Sequence, residues 1–317
     1  MVKYIIQRVL LMLLTLFIII GICFVLIRLL PPAQLDPSDP HKDVLEARRE
    51  AMGYNKPIMV QFGIFLKDIF TEWDWGLSDK LYVGRPVLEI FTSKMPATII
   101  VNLYSILLSI PIGILLGIWA ALKKNSWIDH TISTATMLVI SVPSFVYAFL
   151  IQYVFSYKLG WLPFVAKSGT DYFSWSYFVS ILPAIMSLSF GVIAGFTRTT
   201  RAELTEVLTS EFMLLARTKG LTRAQATIRH ALKNCMVVIL PSIFGQFIGI
   251  MSGSLIIEKI FSIPGVGDLY IKSINGLDYP LFIMNTAFYT AIGLAAAIVV
   301  DVSYGFIDPR IRMGSKK

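Results

Sequence analysis

Charge is scarce in this chain. Lys, Arg, Asp and Glu together make up 15% of its 317 residues, against about 25% in an average soluble domain. Cysteine is scarcer still, with Cys23 and Cys235 alone, so no disulfide framework can staple a secreted scaffold; both read as small buried hydrophobes. The three histidines, His41, His130 and His230, fall in or beside loops and form no metal-ligand spacing with the cysteines. There is no H-E-x-x-H, no G-x-S-x-G and no G-x-x-x-x-G-K-[ST]. No zincin site, hydrolase elbow or phosphate-binding loop is therefore expected, and no ATP site of its own. What is abundant is apolar: 56% of the residues are hydrophobic and the mean hydropathy is +0.70. These proportions exclude a disordered chain and an ordinary cytosolic enzyme. They describe a polytopic membrane protein.

Six stretches reach the roughly 20 apolar residues a spanning helix needs, at 9–30, 97–122, 131–153, 177–197, 236–257 and 281–304. Lys3 and Arg8 precede the first. That run is longer than a signal-peptide core and no small-x-small cleavage site follows, so it reads as a retained helix. With the N-terminus placed in the cytoplasm, the inside segments carry fifteen Lys and Arg against five Asp and Glu, and the outside segments twelve against fourteen. The two short outside loops hold only two basic residues each. The positive-inside rule then sets both termini in the cytoplasm. The net charge of +8 follows from those loops and calls for no nucleic acid.

The expected layout is all-α with six transmembrane helices: a first helix at 1–30, an extracytoplasmic insertion at 31–96, a membrane core at 97–312 with a cytoplasmic loop at 198–235, and a tail at 313–317. The insertion opens on Pro31, Pro32, Pro37 and Pro40. Within it Ile58, Phe62, Phe65, Leu66 and Ile69 recur near a 3.6-residue period, which predicts an amphipathic helix.

Spans two to five each carry a proline (Pro111, Pro143, Pro183, Pro241), and glycines recur at four-residue spacing at Gly113/Gly117, Gly191/Gly195 and Gly245/Gly249/Gly253. Proline bends a spanning helix, and such glycines let backbones approach closely. Tight bundle packing and sliding during a transport cycle both fit. Only Asp301 sits deep within a span by sequence, whereas a proton- or ion-coupled carrier places several acids or histidines there. Asn102, Gln246 and Asn285 are the polar residues in spans that could line a pathway, although hydrogen bonding between helices explains them equally well.

The loop at 198–235 is the most informative segment. Ser210 stands at an N-cap position, Glu211 at the acidic start of a helix, and Phe212–Ala216 is apolar. Arg217 and Lys219 suit the C-terminus and Gly220 the left-handed turn that ends it. Thr222 and Gln225 have capping-box spacing for a second helix. The result is a helix of about nine residues, roughly 13 Å long, too short to span and too apolar to lie bare in water. It could dock into another protein's groove, lie on the membrane, or pack on the chain's own helices.

Ala216-Arg217-Thr218-Lys219-Gly220-Leu221, followed by Arg229-His230-Ala231-Leu232, resembles the coupling loop of ABC importer permeases, and more narrowly the first (B-type) permease of the oligopeptide/dipeptide/nickel branch. Tyr4-Ile5-x-x-Arg8, Phe261-Ser262-Ile263-Pro264-Gly265-Val266-Gly267-Asp268-Leu269 with Asp278-Tyr279-Pro280, and Asp308-Pro309-Arg310-Ile311-Arg312 are similar to further segments of that subunit. Two features depart from the pattern: Leu214 and Leu215 stand where the broader family has Glu-Ala, and Leu35-Asp36-Pro37 replaces Gly-Asp-Pro. The resemblance implies the type I importer fold over the core. It also implies an assembly with a homologous second permease, two cytoplasmic ABC ATPases that bind the ATP, and an external substrate-binding protein. The residues it places at the ATPase are Glu211, Phe212, Leu215, Ala216, Arg217, Lys219 and Gly220. Peptides are the expected cargo, imported across a bacterial or archaeal cell membrane by a transport subunit that is not itself an enzyme. Nickel or another small solute remains open, and so does a self-sufficient carrier or channel, which would transport alone.

Overall fold

The computed structural model describes residues 2–30, 42–51, 53–169 and 171–307. The proline-rich opening of the insertion, Leu35-Asp36-Pro37, the Asp308–Arg312 signature and the tail lie outside these residues. The described chain is helical, with one isolated β-bridge between Leu77 and Pro86. Among the described residues, five helices are long and apolar enough to cross a membrane, and a sixth crossing is made if one bent pair counts as a single span. The chain divides into two compact units, one of residues 1–5, 100–250 and 296–317, the other of residues 6–99 and 251–295.

In the first unit lie the later part of α4 (Val87–Leu122), α5 (Trp127–Ser141), α6 (Ser144–Ile151), α7 (Trp175–Leu208), α8 (Glu211–Thr218), α9 (Arg223–Ala226) and α10 (Leu232–Gly249). α5, α6 and α10 each pack on α7. α4 meets α7 through its glycines: a Cβ on Gly113 would lie 2.8 Å from the Ile193 carbonyl oxygen, and one on Gly117 2.7 Å from that of Thr197. A Cβ on Gly245 would lie 2.8 Å from Val300. Gly191, Gly195 and Gly249 face open space, so close packing accounts for some of the glycines and not for others.

The third expected span is not straight. Trp127–Ser141 and Ser144–Lys158 meet at 98°, with Pro143 at the corner. Proline has no N–H to give the Val139 carbonyl one turn back; the Tyr147 hydroxyl donates to it instead at 2.6 Å. A π segment, Gln152–Lys158, continues the second limb. By contrast, α7 absorbs Pro183 without a break and runs eleven residues beyond the expected end at Thr197. Arg198, Arg201, Glu203 and Glu206 thus stand on a helix and not in a loop. The fifth span, unlike α7, ends early: Gly253, at φ +61, stops it after Ser252, and 255–257 belong to another helix.

The second unit holds most of α1 (Val2–Arg28), α2 (Lys42–Ala51), α3 (Ile58–Glu72), the start of α4, and α11 (Leu255–Ile260), α12 (Val266–Asn275) and the first part of α13 (Tyr279–Ile307). The expected amphipathic helix is α3, which buries Phe62, Phe65 and Ile69 against Phe24 of α1. The Phe24 ring sits 5.3 Å from Phe62 and 5.1 Å from Phe65. A second cluster joins Val87, Ile90 and Phe91 to Val266, Leu269, Leu281 and Met284.

Candidate coupling helix and transport surface

α8 is built as its sequence suggests. Glu211–Thr218 is helical, and Gly220 sits at φ +91, a conformation that costs an L side chain about 1 kcal/mol or more. The backbone then enters α9 through a complete capping box. Thr222 Oγ1 accepts from the Gln225 N–H at 3.3 Å, and the Thr222 N–H donates to Gln225 Oε1 at 3.0 Å. Ser210 holds the N-cap position of α8, but its hydroxyl turns back to donate to the Val207 carbonyl at 2.5 Å. Met213 and Ala216 are buried and fix the helix to the body of its unit. Phe212, Leu214 and Leu215 stay 41%, 63% and 55% exposed, with Glu211, Arg217, Lys219 and Gly220 also exposed around them. One face of α8 is therefore seated and the other is an apolar ridge bordered by charge.

In the same unit, an ion pair fastens α5 to α7. Asp129 is buried and accepts two bonds from the Arg201 guanidinium, at 2.5 and 2.8 Å, with further bonds from the Asn125 N–H at 2.9 Å and the Ser133 hydroxyl at 3.3 Å. Farther along α7, a cavity of about 310 Å³ opens against α10, lined by Gly191, Gly195, Thr199, Ser242 and Gln246 among others. Gln246 thus stands on an open surface. Asn102 is half-buried in the same unit. Asn285 belongs to the other unit and is fully buried, its amide donating to the Leu281 carbonyl at 2.7 Å. Asn102 is not among the residues lining the cavity that Gln246 borders.

In the second unit the segment between the last two spans is a helical hairpin, α11 and α12. Asp278 begins α13: one carboxylate oxygen accepts from the Leu281 N–H at 3.4 Å, the other from the Ser78 hydroxyl at 2.5 Å and the Lys80 and Leu81 N–H groups at 3.1 and 3.0 Å. A second carboxylate, Glu258, is 2% exposed inside the hairpin.

Neither Asp129, Glu258 nor the Asp129–Arg201 pair stood out in the sequence. Hydropathy places Asp129 in a loop and Glu258 just past a span, with no sign that either is buried. The only local signal was positional: each carboxylate lies within a helical turn of a predicted span end.

Residues 113–313 match the family described as binding-protein-dependent transport system inner membrane component, and residues 1–102 match its N-terminal companion. The dipeptide transport system permease protein of Lactococcus lactis is 35% identical over 313 residues, covering 99% of this chain and all of that one. The glutathione transport system permease protein of Escherichia coli K12 is 34% identical, covering 98% and 99%. The oligopeptide transport system permease protein of Haemophilus influenzae is 32% identical, covering 98% and 100%. A solved structure described as an amino acid ABC transporter with histidines superposes with a TM-score of 0.51 at 19% identity, over 69% of this chain and 94% of the other, and so shares the fold. Profile, full-length relatives and fold agree: the chain is a multi-pass membrane protein and belongs to the inner membrane permease components of binding-protein-dependent ABC import systems.

Proposed function

We propose that this permease imports peptides, as half of a translocation pathway completed by a homologous second permease, and that α8 is where one of two partner ATPases delivers its work. The exposed ridge of Phe212, Leu214 and Leu215 carries the reading. A helix whose inner face is seated and whose outer face is apolar fits a groove in a partner, with Glu211, Arg217, Lys219 and Gly220 at its rim. The peptide cargo rests on the names of the full-length relatives, which are dipeptide, glutathione and oligopeptide permeases. ATP is bound by the ATPases, and this chain contributes no catalytic group. Both termini lie in the cytoplasm, by the distribution of Lys and Arg, and the α11–α12 hairpin then faces outward toward the substrate-binding protein. Gln246, on the cavity between α7 and α10, is the pathway-lining candidate with an open surface.

The test is purification of the tagged chain from its native cell in mild detergent, with each co-purifying protein identified by mass. Recovery of a second permease and of ATPases carrying a phosphate-binding loop is the expected result. A chain that comes away alone and still moves solute in liposomes overturns the reading in favour of a carrier. Orientation is checked separately. A thiol at Ser262→Cys should react with an impermeant reagent from outside intact cells, and one at Thr218→Cys only after lysis.

A further inference from the structure

The first turn of α12 has no cap of its own. Its N-cap residue is Gly265, which has no side chain, yet Val266, Gly267 and Asp268 present the N–H groups that every helix start leaves unsatisfied. They are satisfied from other helices. The Gly267 and Asp268 N–H groups donate to Glu258 Oε2 at 2.8 and 3.3 Å, and the Val266 N–H donates to Thr98 Oγ1 of α4 at 2.8 Å. The Thr98 hydroxyl in turn donates to Glu258 Oε1 at 2.9 Å. One carboxyl therefore joins α4, α11 and α12. The surrounding chain leaves no room for alternatives. Cβ atoms on Gly253, Gly265 or Gly267 would each run into the Glu258 carboxyl.

No ion pair among the described residues involves Glu258. On α12, Asp268 is paired with Lys272 at 2.5 Å, and Tyr270 bonds with Thr286 at 3.1 Å. On α4, Lys94 lies over the Tyr82 ring. From α13 the Tyr289 phenol feels the Glu258 charge, and on α11 itself Lys259 points to solvent. The charge is thus held only by neutral donors and the positive end of a helix, against the cost of burial.

We propose that Glu258 is a proton-sensitive clasp, whose carboxyl ties the first turn of α12 to α4 and whose burial without an ion-pair partner among the described residues makes the closed hairpin the form favoured in acid. Burial pushes this carboxyl up from 4.5 to about 7, while the bonds from Thr98, Asp268 and Gly267 pull the other way. A released hairpin would return the group to an ordinary carboxylate. Since the closed form binds the proton more tightly, acid favours closure. The clasp weakens as pH rises from about 4.5 to about 7 and is at its weakest above that. That the hairpin meets the external medium rests on the orientation proposed above; the clasp itself does not.

The experiment is hydrogen exchange of the full chain in lipid nanodiscs across that pH range, corrected for the intrinsic rate of exchange at each pH. Protection of the Val266–Asp268 amides should fall by about tenfold or more as pH rises through the window, tenfold being the worth of one pKa unit. Glu258→Gln, neutral at every pH, should show no such slope. Thr98→Val, which deprives the charged form of a donor, should move the midpoint upward. A merely structural cap would give a flat profile in the wild type, and that result overturns the proposal, as does a Glu258→Gln variant with the wild-type slope. If Glu258→Gln yields no folded protein, the Thr98→Val midpoint decides alone, and a midpoint unmoved or lowered overturns it. Exchange needs neither ATPase nor receptor, so failure here leaves the importer reading standing, and failure of that reading leaves the clasp standing.

Discussion

Asp129 and Arg201, 72 residues apart, meet in a two-pronged ion pair that ties the first turn of α5 to α7. The carboxylate is 1% exposed and the guanidinium 33%, so the pair is sheltered on one side only. Removing the acid leaves a cation facing a closed pocket. Asp129→Asn should cost about 1–3 kcal/mol, with the Arg201→Gln, Asp129→Asn double variant less damaged than the sum of the two single changes. Thermal unfolding of the four proteins in one detergent completes the cycle, and strict additivity would show that the pair contributes no coupling.

Gly220→Trp should insert and fold but fail to support uptake. At φ +91 a bulky side chain strains the turn after α8 and shifts the ridge of Phe212 and Leu215. Membrane abundance and solute uptake are measured together. Normal uptake would sink the assignment of α8 as the coupling helix.

The glycines divide into two groups. Gly117→Val drives new atoms into the α7 backbone and should lower stability by about 1–3 kcal/mol, seen as reduced yield of monodisperse protein. Gly191→Ala and Gly195→Ala meet nothing within 4 Å and should leave yield unchanged.

Gln246→Ala should keep the fold and change uptake rate or the preference among peptides of different length, because its amide borders the cavity against α7. Competition assays with a set of peptides read this directly. An unchanged profile would return Gln246 to the role of a residue at a helix interface.

Much of this architecture was visible in composition and spacing, because the features concerned are local. The Thr222/Gln225 capping box and the left-handed Gly220 depend on neighbours within four residues, and the structure has both. The amphipathic α3 follows from period alone. What the sequence concealed depends on partners far along the chain. Pro143 breaks its helix while Pro183 does not, and nothing in either proline says which. α7 carries Arg201 and Glu203 past the expected boundary, and there the arginine meets Asp129, which hydropathy places in a distant loop. Glu258 reads as an ordinary polar residue after a span until Thr98, 160 residues earlier, is placed against it.

From Arg223 to Ser252 the chain forms a single 30-residue rod, with one wide π stretch at Thr227–Ala231. Such a stretch stores an extra residue without turning the helices on either side of it. Along the α-helical part of the rod, Leu232–Gly249, each residue advances the helix by about 100°. Loss of one residue inside 227–231 can therefore close the wide turn and leave the α8 ridge on its bearing, whereas the same loss between 233 and 249 would swing that ridge away by more than a quarter circle. Within this rod, tolerance to the loss of one residue should be confined to those five positions.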